Sequence, residues 1–183
     1  MQKLYFAYGS NMDFDQMEFR CPGAEYLGVA TLPNHELKMD AAGYATVVPS
    51  WGKHVQGALW DLSNANESKM DGFEGVSTQC YEKSFVEVQY AGNRTEGKVI
   101  SGAFGFNTYE PAARGAYTLE ALIYLSLRGP FIDSSFREDY VTKVRNGAQG
   151  IGVDAHTLEQ LQNISIAPQT NVCLLYTSDA ADD

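Results

Sequence analysis

The stretch Tyr5-Phe6-Ala7-Tyr8-Gly9-Ser10-Asn11-Met12 constrains this chain more than any other. Leu4, Tyr5, Phe6 and Tyr8 are aromatic and apolar residues that suit a buried pleated surface, so the segment begins as a strand. Gly9-Ser10-Asn11 ends that strand in a turn. Residues 13–19 then read as one short helix with Asp13 and Asp15 at its start, where acids complement the positive end of the helix dipole. A strand, a glycine-containing turn and a helix start in direct succession point several backbone N–H groups into one small space. Such a space is an anion cup, to which the Ser10 hydroxyl and the Asn11 amide add donors. The same succession also serves as a plain strand-to-helix connection, and local chemistry leaves both readings open.

With 183 residues, 44% of them apolar and 12% aromatic, the chain has material for one domain with a real core. No run approaches the roughly 18 consecutive apolar residues of a membrane span, and the N-terminus enters a strand with no signal-peptide pattern. Cys21, Cys80 and Cys173 are few and unpaired in pattern, which predicts a reducing, cytoplasmic setting. His35, His54 and His156 show no metal-ligand spacing with one another or with the cysteines, so no metal is expected. The net charge of −10 argues against a nucleic-acid partner.

The final segment, residues 173–183, has no periodicity and no evident packing role. It resembles the translation of an adapter used in preparing sequencing libraries. The expected division is therefore a single domain over residues 1–172 and a non-native tail over 173–183. Without Asp179, Asp182 and Asp183 the chain is still acidic.

Along the rest of the chain, residues 24–39 suggest two strands joined at Pro33-Asn34, and residues 44–50 a strand stopped by Pro49. Gly52 supplies a turn before a strand over 54–62. Ser63 or Asn64 caps the next helix, with Glu67 as a capping-box partner three residues beyond Asn64. That helix stops at Glu74-Gly75, glycine being the usual left-handed residue past a helix end. Residues 81–91 and 94–107 read as a hairpin turning at Ala91-Gly92-Asn93. Helices are expected over 116–127, 133–146 and 154–164.

Glu74 stands out on local chemistry. A carboxylate in the last helical turn faces the negative end of the macrodipole, which typically costs about 0.3–1 kcal/mol. It is either a tolerated surface side chain or a carboxylate held there for proton chemistry. The dipole, with any burial, raises its proton affinity toward the range useful for general acid–base work.

The string Tyr-Phe-Ala-Tyr-Gly-Ser-Asn-Met resembles the signature of the gamma-glutamylcyclotransferase family (AIG2-like). Gly43 to Ser50 and Val55-Gln56-Gly57-Ala58-Leu59-Trp60 are similar to that family's G-x-A-T and V-x-G-x-x-W strands. Met70-Asp71-Gly72-Phe73-Glu74-Gly75-Val76, with Tyr81 seven residues after Glu74, resembles its catalytic segment. Tyr140, ahead of Gly147-Ala148, falls on a further tyrosine near the substrate. The resemblance covers roughly residues 3–164 and departs at 111–131, a segment longer than its counterpart in compact members.

It implies an α+β fold, a small mixed β-barrel of about six strands with peripheral helices. It also implies cyclisation of a gamma-glutamyl amide to 5-oxoproline with release of a free amino acid or amine, without a cofactor. On that reading Glu74 is the acid–base residue, and Tyr5, Phe6, Ala7, Tyr8, Gly9, Ser10, Asn11, Tyr81 and Tyr140 bind the small-molecule gamma-glutamyl substrate. Both Tyr81 and Tyr140 serve equally well as core aromatics with bonded hydroxyls. A gamma-glutamyl amine or antibiotic as substrate, and a non-catalytic small-anion binder of the same fold, are the alternatives. A homodimer is the assembly the resemblance leaves open. Deleting residues 173–183 is expected to leave melting temperature and activity unchanged. A fall of several degrees in a thermal melt would show that the tail packs on the domain.

Overall fold

A computed structural model describes residues 3–91, 111–112 and 116–168. The tail and the second half of the expected 81–107 hairpin, with most of its turn, lie outside the described residues.

Strand β1 (Lys3–Ala7) is followed by a 3-10 turn over Ser10–Met12 and by helix α1 (Phe14–Arg20). Asp13 caps α1, accepting from the Gln16 N–H at 2.9 Å. Strands β2 (Glu25–Met39) and β3 (Ala45–Leu62) form one long antiparallel ribbon, closed by a turn that pairs Met39 with Ala45. In that turn the buried Asp40 carboxylate accepts from the N–H groups of Ala42 and Tyr44, each at 2.9 Å. The breaks expected at Pro33-Asn34 and around Gly52 exist, but they face each other in register. Pro33 pairs with His54 and His35 with Pro49, so Asn34 stands opposite residues 50–53 in a bulge. The prolines and the positive φ of Asn34 and Gly52 interrupt the ladder locally without reversing the chain.

Helix α2 (Asn64–Phe73) is capped by Ser63, which accepts from the Asn66 N–H at 3.2 Å. The capping box with Glu67 does not form: Glu67 instead binds Lys3 at 2.5 Å and Lys83 at 3.0 Å. Strand β4 (Tyr81–Tyr90) pairs with β6 (Ala116–Ser126), and the short β5 (Pro111–Ala112) lies beside β6. The helix expected over 116–127 is thus a strand. Ala121, Leu122, Ile123 and Tyr124 are buried in succession because the strand is covered on both faces. A continuous apolar run of that length carries no period to separate strand from helix.

The sheet closes on itself. The order is β1-β3-β2-β4-β6, and β6 returns to β1 through a parallel pairing of Tyr5 with Leu122. Five long strands therefore make a mixed barrel, close to the six expected, with β5 at its rim. A two-residue parallel pair, β7 (Ser134–Ser135) with β8 (Ser165–Ile166), occupies the start of the expected 133–146 helix. Helix α3 (Glu138–Ile151) accordingly starts later, and α4 (Ala155–Gln162) follows, capped by Asp154. These helices pack around a core that includes Phe6, Met12, Met17, Leu59, Leu62, Met70 and Leu122. Gly147 lets α3 approach the 3-10 turn, since a Cβ there would lie 3.1 Å from the Asp13 nitrogen. Among the described residues no helix is long and apolar enough to cross a membrane.

Gly57 is where β3 crosses closest to β1: a Cβ there would lie 2.2 Å from the Ala7 carbonyl oxygen and 3.0 Å from the Phe6 ring. Gly57→Ala must therefore push β1 and β3 away from each other in a closed barrel. It is expected to destabilise the fold by about 2 kcal/mol or more in chemical denaturation. A wild-type midpoint would show that the strands yield freely.

Candidate active site

A cavity of about 310 Å³ opens where the end of β1, the 3-10 turn, α1 and the end of α2 meet the start of β4 and one face of α3. It brings together Tyr5, Tyr8, Gly9, Ser10, Asn11, Glu74, Tyr81 and Tyr140 from distant segments of the chain. Phe6 and Ala7, also expected to bind substrate, do not line it. Phe6 is fully buried in the core and packs against the Tyr8 ring. Side chains alternate along β1, which turns Phe6 away from the face that carries Tyr5.

The cup is smaller than a strand–turn–helix junction suggests. The N–H groups of Met12 and Asp13 bond to the carbonyls of Gly9 and Ser10, each at 3.1 Å, and so belong to the 3-10 turn. Helix α1 begins only after that turn, and its cap is the chain's own Asp13 carboxylate. The Ser10 hydroxyl accepts from Gln16 Nε2 at 2.6 Å, and Gln16 in turn accepts from Lys143 at 3.1 Å. Gly9 itself faces Tyr140, whose hydroxyl lies 3.1 Å from where a Gly9 Cβ would sit.

Glu74 occupies the C-cap position of α2, with Gly75 in the left-handed conformation after it. Its side chain is 14% exposed. Asn11 Nδ2 donates to Glu74 Oε1 at 3.2 Å and to the Tyr5 hydroxyl at 2.8 Å. Arg20 Nη1, at the end of α1, bridges Asn11 Oδ1 at 3.0 Å and Glu74 Oε1 at 3.2 Å. Burial raises the Glu74 proton affinity, while Arg20, the Asn11 hydrogen bond and the more distant Arg128 oppose it without cancelling it. The surface reading of Glu74 is excluded by this burial.

The tyrosines divide into two kinds. The Tyr8 hydroxyl donates to the Tyr124 carbonyl, and the Tyr81 hydroxyl donates to the Ala45 carbonyl at 3.2 Å. Their protons are committed to the frame. The Tyr5 hydroxyl accepts from Asn11, and the Tyr140 hydroxyl accepts from the Ala45 N–H at 3.2 Å. Each therefore keeps a proton that can be donated. Burial pushes the Tyr140 hydroxyl up to about 12, so it stays protonated at neutral pH.

Several lining residues carry no signal in the sequence. Arg20 reads as an ordinary cation in the last turn of a helix, and Arg128 as a loop residue before Gly129-Pro130. In the fold, Arg128 Nε and Nη2 bind one oxygen of buried Asp40 at 2.9 and 2.8 Å, and its guanidinium lies over Tyr81 at 5.1 Å. Phe73 lies beneath the Arg20 guanidinium at 5.0 Å and is half exposed at the rim. Tyr124 donates to Asp71 at 2.7 Å from the opposite wall. Among the described residues no three acidic, histidine or cysteine side chains are grouped to hold a metal ion.

The model of the family described as "Gamma-glutamyl cyclotransferase, AIG2-like" matches residues 5–125, the stretch that carries the turn, Glu74 and Tyr81. The chain belongs to this family. A mouse protein named gamma-glutamylcyclotransferase is 33% identical over 120 residues, 60% of this chain and 62% of the relative. A bovine protein of the same name is 32% identical over 108 residues, 54% of this chain and 55% of the relative. The chain thus spans somewhat more than half the length of the curated relatives it matches. A solved gamma-glutamyl cyclotransferase superposes with a TM-score of 0.69 at 23% identity, over 94% of this chain and 92% of the other, which establishes the cyclotransferase fold.

The buried carboxylate has a consequence for stability. A carboxyl group with a raised folded-state pKa favours the fold while protonated, and that contribution is lost as pH rises from the ordinary carboxylate range through the folded value. At neutral pH an ionised Glu74 therefore weighs against the fold. Glu74→Gln is expected to melt a few degrees above wild type at pH 7, with the gap closing as pH falls to the ordinary carboxylate range. Melting curves across pH 4–8 check this, and a lower Tm for the variant at pH 7 would contradict it.

Proposed function

We propose that this cyclotransferase-family chain converts a gamma-glutamyl amide into 5-oxoproline and a free amine or amino acid. The observation that carries the proposal is Glu74, a buried carboxylate of raised proton affinity held by Asn11 and Arg20 in the wall of a cavity. Gly9 and Tyr140 line the same cavity.

The substrate carries both reacting groups. Its α-nitrogen attacks its own γ-carbonyl carbon, a bond forms between them, and the amide C–N bond to the leaving group breaks. Because nucleophile and electrophile are tethered, the protein contributes positioning and two proton transfers. From the ammonium form the attacking nitrogen gives up two protons, one before and one after attack, and the departing nitrogen takes up two; Glu74 relays each in turn, so protons balance over the cycle. A carboxylate with raised affinity is a better match to both halves of that task than a fully solvated one. Negative charge develops on the γ-oxygen as the tetrahedral centre forms. The Tyr140 hydroxyl, which keeps its proton and lies beside Gly9, supports this part of the reading as a donor to that oxygen. The cavity suits a small-molecule substrate, and the half-exposed Phe73 is part of its lining beside Glu74.

Glu74→Gln keeps the shape and loses the exchangeable proton. Release of 5-oxoproline is expected to fall by roughly 10²–10⁴-fold, with 5-oxoproline affinity little changed. The assay presents gamma-glutamyl-alanine, gamma-glutamyl-lysine, glutathione and a gamma-glutamyl polyamine side by side, which also identifies the leaving group. Retained turnover in the variant would remove Glu74 from the chemistry. Absent turnover by wild type, with 5-oxoproline still bound, would make the protein a binder.

A further inference from the structure

We infer that Arg20 is the receptor for the substrate's α-carboxylate, exchanging its contact with Glu74 for one with the substrate. The inference rests on the cyclotransferase reading above and adds to it a place for each end of the gamma-glutamyl group.

The α-amine and α-carboxylate sit on one carbon, so an oxygen of the carboxylate lies about 3 Å from the nitrogen. An amine within reach of Glu74 therefore puts the carboxylate beside whichever cation flanks Glu74. Among the described residues, two cations line the cavity. Arg128 already has Nε and Nη2 on the buried Asp40, whose same oxygen also accepts from the Ser126 hydroxyl at 2.6 Å. Its charge is matched and its orientation fixed. Arg20 is different: its carboxylate partner among the described residues is Glu74 itself, which it meets through a single nitrogen at 3.2 Å, and it ends a seven-residue helix. The face of the Phe73 ring supports the guanidinium at 5.0 Å as its donors turn.

Removal of Arg20 from Glu74 does not strand the carboxylate, because Asn11 Nδ2 still donates to it. The exchange also strengthens the base. Tyr5 and Tyr8 face Glu74 from the β1 side, Tyr81 from β4, and Tyr140 from α3, all kept neutral by burial. Cys21, just after α1, is a protonated thiol for the same reason. The charges felt by Glu74 are thus those of Arg20 and Arg128, with Arg20 the larger influence. Once Arg20 turns to the substrate carboxylate, Glu74 binds a proton more readily, at the moment the ammonium must lose one. The cup around Gly9 is then left for the γ-oxygen.

Calorimetry with 5-oxoproline and with 5-oxoprolinamide, which has the same shape without the negative charge, tests the assignment. Wild type is expected to prefer the carboxylate. Arg20→Gln should lose about 10- to 100-fold in 5-oxoproline affinity and little for the amide, and Arg20→Lys should recover some of the loss. The acidic limb of kcat/KM should also move to higher pH in Arg20→Gln, since the free enzyme's Glu74 has lost its cation. Equal binding of the two lactams by wild type, or an equal loss of both in Arg20→Gln, would overturn the inference while leaving the enzyme reading intact. A wild type inactive on every gamma-glutamyl amide, whose Arg20→Gln variant still loses 5-oxoproline selectively, would overturn the enzyme reading and support the carboxylate receptor. Failure of wild type to bind 5-oxoproline would overturn both.

Discussion

An ionised carboxylate taken out of water must be met by donors, and Glu74 makes that demand at the meeting point of this fold. It lies at the negative end of α2, so helix dipole and burial both work against its charge. The donors that answer are Asn11 from the 3-10 turn and Arg20 from α1. Asn11 is itself fixed on all sides. Its carbonyl accepts from Trp60 Nε1 of β3 at 3.1 Å, and its side-chain oxygen accepts from Gln16 at 2.8 Å. One carboxylate thus ties the end of β1, helix α1, the β3 wall and the end of α2 to a common point.

The barrel supplies what that point lacks, a rigid opposite wall. Parallel pairing of β6 with β1 carries Tyr124 alongside Tyr5, their rings edge to face at 5.7 Å, and lets Tyr8 bond across to the Tyr124 carbonyl. Ala45, the first residue of β3, holds two tyrosines at once: its carbonyl takes the Tyr81 proton and its N–H reaches the Tyr140 oxygen. Asp40 in the adjoining turn fixes Arg128. Tyr8, Tyr81 and Tyr140 are thus held by main-chain groups and Arg128 by a fully buried carboxylate, whereas Arg20 and Phe73 are held by side chains alone. The contacts freest to rearrange are therefore those on the α1–α2 side.

What the sequence made legible is what a few neighbouring residues decide. Gly9 after an apolar strand and Gly75 after Glu74 each mark a local geometry, and both are where the motifs place them. Strand β6 was illegible because burial on both faces erases the alternation that would distinguish it from a helix. The β2–β3 ribbon was half legible: every break was marked by Pro, Asn or Gly, but their pairing across the ribbon is a property of two segments together. Phe6 and Ala7 belong to the signature string yet are buried in the core and do not line the cavity, since a string does not record which side of a strand the fold opens to a cavity or how deep a small side chain lies. Arg20 and Arg128 were silent for a related reason. A cation at a helix end or in a loop joins a site only through the carboxylates that the fold brings to it.

The charge pattern of the cavity accounts for how an acidic protein accommodates an anionic group. Arg128 is matched by Asp40 and Arg20 by Glu74, so among the described residues each cation lining the cavity has a carboxylate partner. On the proposed reading the incoming gamma-glutamyl group is itself an ammonium and a carboxylate on one carbon. With Arg20 turned to the carboxylate and Glu74 to the ammonium, one ion pair becomes two, and the local charge is unchanged. The net charge of −10 then has little to repel, and association gains little from long-range steering. Cyclisation breaks that balance. On the proposed reaction the ammonium gives up two protons in becoming a neutral lactam nitrogen, both leave with the departing nitrogen as its ammonium, and Glu74 is again an anion without its new partner. On that reading Arg20 is the one cation that serves both states, 3.2 Å from Glu74 in the structure and turned to the carboxylate when the gamma-glutamyl group is bound, while Asn11 stays on Glu74 throughout.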